Sequence, residues 1–335
     1  MNAEETDVVL DSLPDAVVAA MEVRDAWRKR KGQQDGLEFL ISDLARWRPG
    51  TAVRVAFLDG DDALHKDVAD ATRQITDACN LRLDFGESGG KYRRWKTTDT
   101  AYAAEIRVSF DKGGFWSLVG TDSTDSTISD PLNGIGGGPG QRSLNLGGFA
   151  THRPDRWQGT VRHEFLHALA FHHAHQNLRG TCEQEFRWED DPGYVPTRDD
   201  RGVFVPDAQG RRPGIYTYLG GPPNNWPRNK VDHNLRTVES PDVIAGPFDP
   251  KSVMLYRFQP FFYKSDPSAC APTGDGLNLS DGDKRGLDLL YPHTEAELHR
   301  LGERATTALE TLTGEESTAN RSVFEQRVID LLGEW

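Results

Sequence analysis

The chain has 335 residues, of which 36% are hydrophobic and 27% charged, proportions typical of globular proteins with long polar loops. Its formal net charge of −13 leaves no general basic field, so nucleic acid is a poor candidate partner. No apolar run approaches the roughly 20 residues that span a bilayer, and the acidic N-terminus is unlike a signal peptide. We therefore expect no membrane partner, and a cytoplasmic location for a complete chain or secretion for a trimmed mature form.

The first part of the chain is predicted to be a helical extension followed by strands and one helix. Apolar residues at helical spacing predict helices over 13–31 and 37–47, within an N-terminal extension of residues 1–46. A buried strand is predicted over 52–58, and the apolar spacing becomes helical again over 63–79. Short apolar pieces predict further strands at 81–85, 105–110, 115–120 and 143–146.

The second part is predicted to contain one helix, a long irregular segment and a helical C-terminus. The helix spans about 157–170, and the segment 173–249 is rich in Pro, Gly, Asn and Asp with little periodicity. Ser280 is suited to cap a helix over 281–290. Two more helices are predicted within 295–332, separated near residues 313 and 314.

A metal-binding motif lies on the predicted helix over 157–170. The segment from His163 to His167 is H-E-x-x-H, and residues four apart on a helix share a face, so both imidazoles can bind one ion. Glu164 points to the side, where its carboxylate can reach a water bound to that ion. Zinc fits this set because it accepts imidazole and leaves a fourth position open for water in catalytic sites. A coincidental pair of helix histidines is the alternative that this motif alone leaves open.

The third ligand is predicted to be His173, six residues after His167, which gives H-E-x-x-H-x-x-A-x-x-H. A continuous helix would place His173 about 9 Å further along the axis, so the helix must end first. The metzincin pattern, which this segment resembles, has Gly where this chain has Ala170, and a left-handed Ala costs on the order of 1 kcal/mol. We expect His172 on the flank of the turn, and His175 behind the ligands or at the surface.

A second motif, from Phe248 to Tyr256, resembles the Met-turn of metzincins and, in its Ser-x-Met-x-Tyr form, that of the astacin family. Met254 would be the soft, shape-filling side chain beneath the ligands. Taken alone, this motif would be better explained by a Met in an ordinary buried turn, and it gains its meaning from the upstream H-E-x-x-H motif. Further segments resemble astacin-type enzymes, particularly compact bacterial members, at 54–58, 104–110, 116–121, 143–147, 159–165 and 279–283.

The resemblance implies an α+β fold: a two-lobed zincin domain of the metzincin type, with a twisted mixed sheet, an active-site helix and an irregular C-terminal lobe. This catalytic domain would span 47–293, divided into an upper lobe over 47–173 and a lower lobe over 174–293. Helical extensions of residues 1–46 and 294–335 would flank it.

The same resemblance implies a metalloendopeptidase with one zinc ion (Zn2+) per chain. It would hydrolyse a peptide or protein substrate through a metal-bound water, with Glu164 as general base. Tyr256 would be a switchable ligand that swings to hydrogen-bond the tetrahedral intermediate. The substrate would bind in extended form along the edge strand at 116–121, while the oligomeric state stays open.

Two departures from the astacin pattern concern maturation and disulfides. Ala174 stands where astacins usually have a Glu that supports the buried mature N-terminus, and the usual cysteines of the family are missing. Residues 1–46 contain no Phe-x-Gly-Asp switch, so we expect an integral extension and not an inhibitory prosegment. A Cys182–Cys270 bridge and three buried thiols are both compatible with the three cysteines.

Two other functions compete with the peptidase. One is a non-catalytic, zinc-stabilised protein-binding module on the same scaffold, although Glu164 serves chemistry and not coordination. The other is a thermolysin-like enzyme with Glu183 or Glu185 as third ligand, which leaves the turn at 252–256 unexplained.

Overall fold

The computed structural model describes residues 12–35, 44–177, 179–237, 246–314 and 321–335, except for the side chains of 31–35 and 314. These residues form the predicted α+β fold, in two compact units. The sheet unit contains the described residues of Leu13–His172 and Leu277–Trp335. The loop unit contains those of His173–Glu239 and Ala245–Gly276. Most of the helix predicted over 37–47 lies outside the described residues.

The sheet unit is built on a mixed sheet with one antiparallel edge strand. Its strands in chain order are β1 (Ala52–Phe57), β2 (Arg82–Asp84), β3 (Ile106–Ser109), β4 (Phe115–Ser117), β5 (Ser129–Asp130), β6 (Ile135–Gly136) and β7 (Leu144–Leu146). Five of them form the sheet in the order β2-β1-β3-β7-β4, in which only β4 runs antiparallel to its neighbour. The short strands β5 and β6 form a separate hairpin. All the predicted strands are therefore present.

The predicted edge strand at 116–121 is too long, and β4 ends at Ser117. Residues Gly120–Thr124 form a 3-10 helix instead, which begins with a positive φ of 54° at Gly120. The backbone N–H of Thr121 donates to the Ala45 carbonyl at 3.0 Å, and its hydroxyl donates to the Leu44 carbonyl at 2.5 Å. The chain itself therefore holds the backbone at the position that was predicted to bind substrate.

Four α-helices precede the loop unit among the described residues: α1 (Asp15–Asp35), α2 (Asp62–Ala71), α3 (Arg73–Thr76) and α4 (Trp157–Ala168). The helix predicted over 63–79 is divided at Thr72. Asp61 caps α2 by accepting a hydrogen bond from the Leu64 N–H at 2.8 Å, which satisfies one of the free donors of the first turn. Helix α4 contacts α2 and the strands β4 and β7, so the sheet fixes the helix that carries the H-E-x-x-H motif.

Helix α1 packs on the region around β4 through both apolar and charged side chains. Val17 forms an apolar cluster with four buried residues, Trp116, Leu118, Ile128 and Ile135. The buried guanidinium of Arg24 is bonded to the carboxylate of Asp122 and lies 3.7 Å from that of Asp125. Burial and the charge of Arg24 lower the pKa of the neighbouring Arg28 to about 10, so Arg28 is still charged at neutral pH.

The loop unit has little regular structure and an aromatic core that surrounds one disulfide. Its elements are α5 (Cys182–Glu185), β8 (Thr197–Arg198), β9 (Phe204–Val205), α6 (Ile215–Leu219) and α7 (Arg228–Leu235). Cys182 and Cys270 are bonded, with their Cα atoms 5.3 Å apart, and this settles the pairing that the sequence left open. The prediction of an irregular segment was wrong at α7, where the buried apolar residues Val231 and Leu235 are too few to give a periodic signal.

In the part of the chain that the structure describes, the loop unit is followed by the helices α8 (Asp281–Leu290), α9 (Glu295–Gly314) and α10 (Val323–Gly333). Ser280 and Asp283 form the capping box of α8, which confirms the predicted cap. Helices α9 and α10 confirm the two predicted C-terminal helices and pack against each other, and their buried apolar residues form one cluster with Leu44. The ring of Trp27 in α1 lies 5.6 Å from that of Phe324 in α10, so the first and last described helices are in contact.

Candidate metal centre

The helix α4 is anchored on the side away from its histidines. Phe165 and Leu166 are fully buried in the sheet unit. The guanidinium of Arg162 donates to the carbonyl of Ala71 at 2.9 Å and also to that of Leu277. These contacts leave the helix little freedom to rotate, so the directions of the motif side chains are set by the core.

The C-terminus of α4 is closed by two distant side chains and a left-handed turn. The indole of Trp47 donates to the Ala168 carbonyl at 2.8 Å, and the phenol of Tyr291 donates to the Leu169 carbonyl at 3.1 Å. Ala170 has a φ of 69°, which confirms that the helix breaks there. Its N–H donates to His167 and the N–H of Phe171 donates to Leu166, the pattern of a Schellman motif that usually has Gly at this position.

This turn brings the three predicted histidines together. The ligand nitrogens of His163, His167 and His173 all lie within 4.8 Å of one another, a spacing that one metal ion can bridge. The Nδ1 atom of His167 lies 2.7 Å from the carbonyl oxygen of Phe171. Since a carbonyl only accepts, Nδ1 carries the proton, and the lone pair of Nε2 is available to a metal.

The predicted Met-turn lies directly under the chain that follows His173. Met254, 1% exposed, accepts a hydrogen bond at its carbonyl from the Ala174 N–H at 2.9 Å. The Ser252 hydroxyl accepts from the Met254 N–H at 3.0 Å and tightens the turn. The Tyr256 ring lies 4.4 Å from the His173 ring, centroid to centroid. The motif that carries the astacin resemblance is therefore in contact with the third histidine.

Similarity to known structures is found at the level of the fold. No protein-family model matches the chain, and no curated protein matches it. A structure of myroilysin matches with 25% sequence identity and a TM-score of 0.51, over 75% of this chain and 97% of that chain. A crystal structure of myroilysin matches with 22% identity and a TM-score of 0.42, over 74% and 86% of the two chains. High choriolytic enzyme 1, a hatching enzyme zinc-protease from the medaka fish Oryzias latipes, matches with 16% identity and a TM-score of 0.42, over 74% and 94%.

The mixed sheet, the cluster of three histidines and the similarity to myroilysin agree with the resemblance seen in the sequence. The chain has an astacin-like fold and is a zinc metalloendopeptidase. In this peptidase the donor set fits zinc, because three neutral imidazoles are a common catalytic set for that ion and leave a fourth position open. None of the helices in the described part of the chain is long and apolar enough to cross a membrane.

The remaining candidate ligands of the peptidase lie elsewhere. His172 is exposed, whereas His175 is 1% exposed and stacks on His173. The thermolysin-like alternative is wrong for the described residues: neither Glu183 nor Glu185 belongs to the three-histidine group. Glu183 instead accepts hydrogen bonds from Arg236 at 2.7 Å and from a backbone N–H at 3.1 Å.

Sequence reasoning missed the side chains that hold the site in place. Trp47 and Tyr291 close the active-site helix, yet they lie far from the motif in the chain, and no local spacing indicates their role. His175 was placed behind the ligands or at the surface without a specific partner, and its contacts with His173 and Tyr256 appear only in the folded chain.

Proposed function

We propose that the peptidase hydrolyses peptide bonds with Glu164 as general base and with His163, His167 and His173 as its metal ligands. The observation that carries the proposal is the group of three imidazoles, two of them on the helix that also carries Glu164. When bound, zinc polarises the scissile carbonyl and lowers the pKa of a coordinated water toward about 7. Glu164 is 1% exposed, and its carboxylate would take the proton of the attacking water and return it to the leaving nitrogen.

Tyr256 is proposed to stabilise the transition state. Its ring contacts that of His173, so the phenol would lie near the carbonyl of a peptide held at the metal. A phenol can donate a hydrogen bond to the oxygen on which negative charge develops. Tyr256→Phe should therefore keep zinc and lower kcat more than it raises KM. An unchanged kcat would rule out this role.

The substrate is proposed to be an extended peptide or protein segment that pairs with the edge strand β4. An edge strand offers unpaired backbone groups to which a peptide can add as a further strand. Because Thr121 is bonded to Ala45, the pairing segment is shorter than predicted and ends near Val119.

The peptidase is proposed to act outside the reducing cytosol. The Cys182–Cys270 bond lies in the core of the loop unit, and both cysteines are 1% exposed. Disulfides of this structural kind persist in oxidising compartments and are rare where glutathione keeps thiols reduced. Peptide mapping of the protein from its native source under non-reducing conditions tests the bond. Recovery of Cys182 and Cys270 as free thiols would contradict the proposed location outside the cytosol.

The decisive experiment for the proposed function compares zinc content and cleavage of casein in the wild type and Glu164→Gln. Retained zinc with a loss of activity of more than about 100-fold supports the general base, since proton transfer contributes about 10²–10⁴-fold. Asp155→Asn, which removes an exposed carboxylate just before α4, is the matched control and should stay active. No activity in the zinc-loaded wild type would favour the non-catalytic binding module.

The ligand assignment is tested by single alanine variants. His163→Ala, His167→Ala and His173→Ala should each lose zinc in a graded metal buffer. His172→Ala changes an exposed histidine one residue from His173, and it should bind zinc like the wild type. If His173→Ala keeps stoichiometric zinc, the third ligand is another group.

A further inference from the structure

His175 lies two residues after the third histidine, within the 3-10 turn Ala174–Gln176. Its side chain is almost fully buried, and its ring stacks on that of His173, with centroids 5.1 Å apart and planes inclined by 13°. The same ring lies 4.8 Å from that of Tyr256, with planes inclined by 33°. Because His173 and Tyr256 are themselves in contact, the three rings support one another.

A backbone carbonyl fixes the orientation of the His175 ring. The Nε2 atom lies 2.8 Å from the carbonyl oxygen of Asn234, in the last turn of α7. Since a carbonyl only accepts, Nε2 carries a proton and donates it, and this satisfies one of the carbonyls that a helix leaves free at its C-terminus. The side chain of Gln176 donates to the neighbouring His233 carbonyl at 3.0 Å. Two successive side chains thus attach the turn to one helix end.

Aromatic rings also confine His175 along its edges. The centroid of Phe186 lies 6.1 Å away and that of Phe258 lies 6.4 Å away, both in edge-on arrangements. The imidazole therefore has a fixed position, although it does not belong to the group of three ligands. An aromatic side chain on its own rotates over a broad range about its last torsion angle. Because the His175 ring is fixed, its contacts with the rings of His173 and Tyr256 limit the rotation of those two side chains.

We propose that His175 is a positioning residue that holds the rings of His173 and Tyr256 in their working orientation and attaches both to the end of α7. The part that concerns Tyr256 rests on the function proposed above for its phenol. Through His173 the residue should strengthen zinc binding, and through Tyr256 it should raise kcat. Both effects follow from geometry alone and require no change in the charge of His175.

The test uses the full-length, zinc-loaded protein with His175→Ala, His175→Phe and the control Gln176→Ala. The alanine variant loses both the ring and the donor, and the phenylalanine variant keeps a ring of similar size but loses the donor. Gln176→Ala removes the neighbouring bond to the same helix end without removing a ring. Zinc affinity is measured by competition with a chelator, ligand geometry by the visible spectrum of the cobalt(II) form, and turnover by kcat and KM.

We expect His175→Ala to weaken zinc binding by about 10–100-fold, the usual effect of losing a group that orients a ligand. The cobalt spectrum should shift and kcat should fall with little change in KM. His175→Phe should lie between His175→Ala and the wild type, and Gln176→Ala should bind zinc within about twofold of the wild type. Equal losses of zinc affinity in His175→Ala and Gln176→Ala would overturn the proposal, because both would then report only a loosened turn. Wild-type zinc affinity and spectrum in His175→Phe and His175→Ala would also overturn it.

A double variant separates this inference from the proposed role of Tyr256. In the Tyr256→Phe background, His175→Ala should still weaken zinc binding but should lower kcat no further. If Tyr256→Phe alone leaves kcat unchanged, the proposed function of the phenol fails, and the zinc measurement still decides the effect on His173. If His175→Ala lowers kcat equally in both backgrounds, the effect does not pass through the phenol, and that part of the inference is wrong.

Discussion

The methyl group of Ala170 lies against Gly120. A Cβ atom placed on Gly120 would lie 3.1 Å from the Cβ of Ala170 and would overlap the carbonyl oxygen of Ala45. Both residues have positive φ angles, 69° at Ala170 and 54° at Gly120. The turn that leads from the active-site helix to His173 is thus packed against the start of the 3-10 helix after β4. A left-handed Ala is accommodated here because its neighbour has no side chain.

The first prediction concerns this turn. Ala170→Gly should raise the free energy of unfolding by about 0.5–1 kcal/mol, because the left-handed strain of about 1–2 kcal/mol exceeds the extra backbone entropy of Gly. Ala168→Gly, two residues earlier in regular helix, should instead lower it by about 1 kcal/mol. Urea denaturation of both variants measures the difference. If Ala170→Gly and Ala168→Gly both lower the free energy of unfolding, the left-handed conformation of Ala170 is not strained.

The second prediction concerns the buried ion pair of helix α1. Arg24→Met should lower the free energy of unfolding by about 3–5 kcal/mol, because it removes the guanidinium that is hydrogen-bonded to the buried carboxylate of Asp122. Adding Asp122→Asn to this variant should restore part of the loss. Lys29→Met changes an exposed residue of the same helix and should have almost no effect. Calorimetry would refute the importance of the pair if Arg24→Met melted like Lys29→Met.

The third prediction concerns the backbone of the edge strand. The Leu118 N–H donates to the Ser143 carbonyl at 2.8 Å and so faces the sheet, which makes Leu118 unsuitable for testing the substrate edge. If the alternation of the antiparallel strand continues past Ser117, the N–H of Val119 points the other way. Val119→Pro should weaken binding of a peptide inhibitor by about 3–10-fold, the worth of one hydrogen bond, and keep the fold. Leu118→Pro should destabilise the protein, and unchanged inhibition by Val119→Pro would place the substrate elsewhere.

The fourth prediction concerns pH. His65 is buried with its ring stacked 4.0 Å from that of Phe57, and its Nε2 atom lies 2.7 Å from the Asp59 carbonyl. Burial lowers the pKa of His65 and outweighs the hydrogen bond with the Asp59 carbonyl, which raises it. The charge of nearby Arg94 also lowers this pKa, against smaller opposing effects of the Asp62 and Asp61 charges. The unfolded chain therefore binds a proton at a higher pH than the folded chain.

The free energy of unfolding should accordingly fall as the pH drops below about 6.5, the ordinary value for histidine. His65→Phe removes this titration and should lose less stability between about pH 7.5 and pH 5.5. Both proteins are compared at one zinc concentration, so that the metal ligands contribute equally. Parallel stability curves would show that His65 does not contribute to the pH dependence.

The chemical part of the site could be predicted from sequence because its information is local. The spacing of His163 and His167 defines a face of one helix, and the distance to His173 requires a break whose position the φ angle of Ala170 confirms. The strands and the C-terminal helices were predicted for the same reason, since each has its own apolar periodicity. Histidine spacing and apolar periodicity are therefore sufficient to predict the fold class and the identity of the candidate ligands.

The rest depends on contacts between residues that are distant in the chain. The edge strand ends early because Thr121 is bonded to Ala45, and nothing in the segment 116–121 indicates that partner. The position of His175 depends on α7, whose apolar face is too narrow to be seen in the sequence. The pairing of Cys182 with Cys270 joins residues separated by 88 positions. In each case the partner is specified only by packing.

The contact between the C-terminal helix and the loop after β4 has a consequence for synthesis of the chain. The guanidinium of Arg327 donates to the Thr121 carbonyl at 3.2 Å, and these residues are 206 positions apart. At about 5–20 residues per second, a ribosome adds Arg327 roughly 10–40 s after Thr121. During that interval β4 can already pair with β7, but the 3-10 helix after it lacks the contact with Arg327. The 3-10 helix that follows β4 therefore gains this contact only when translation has passed α10, and a chain released earlier would lack it.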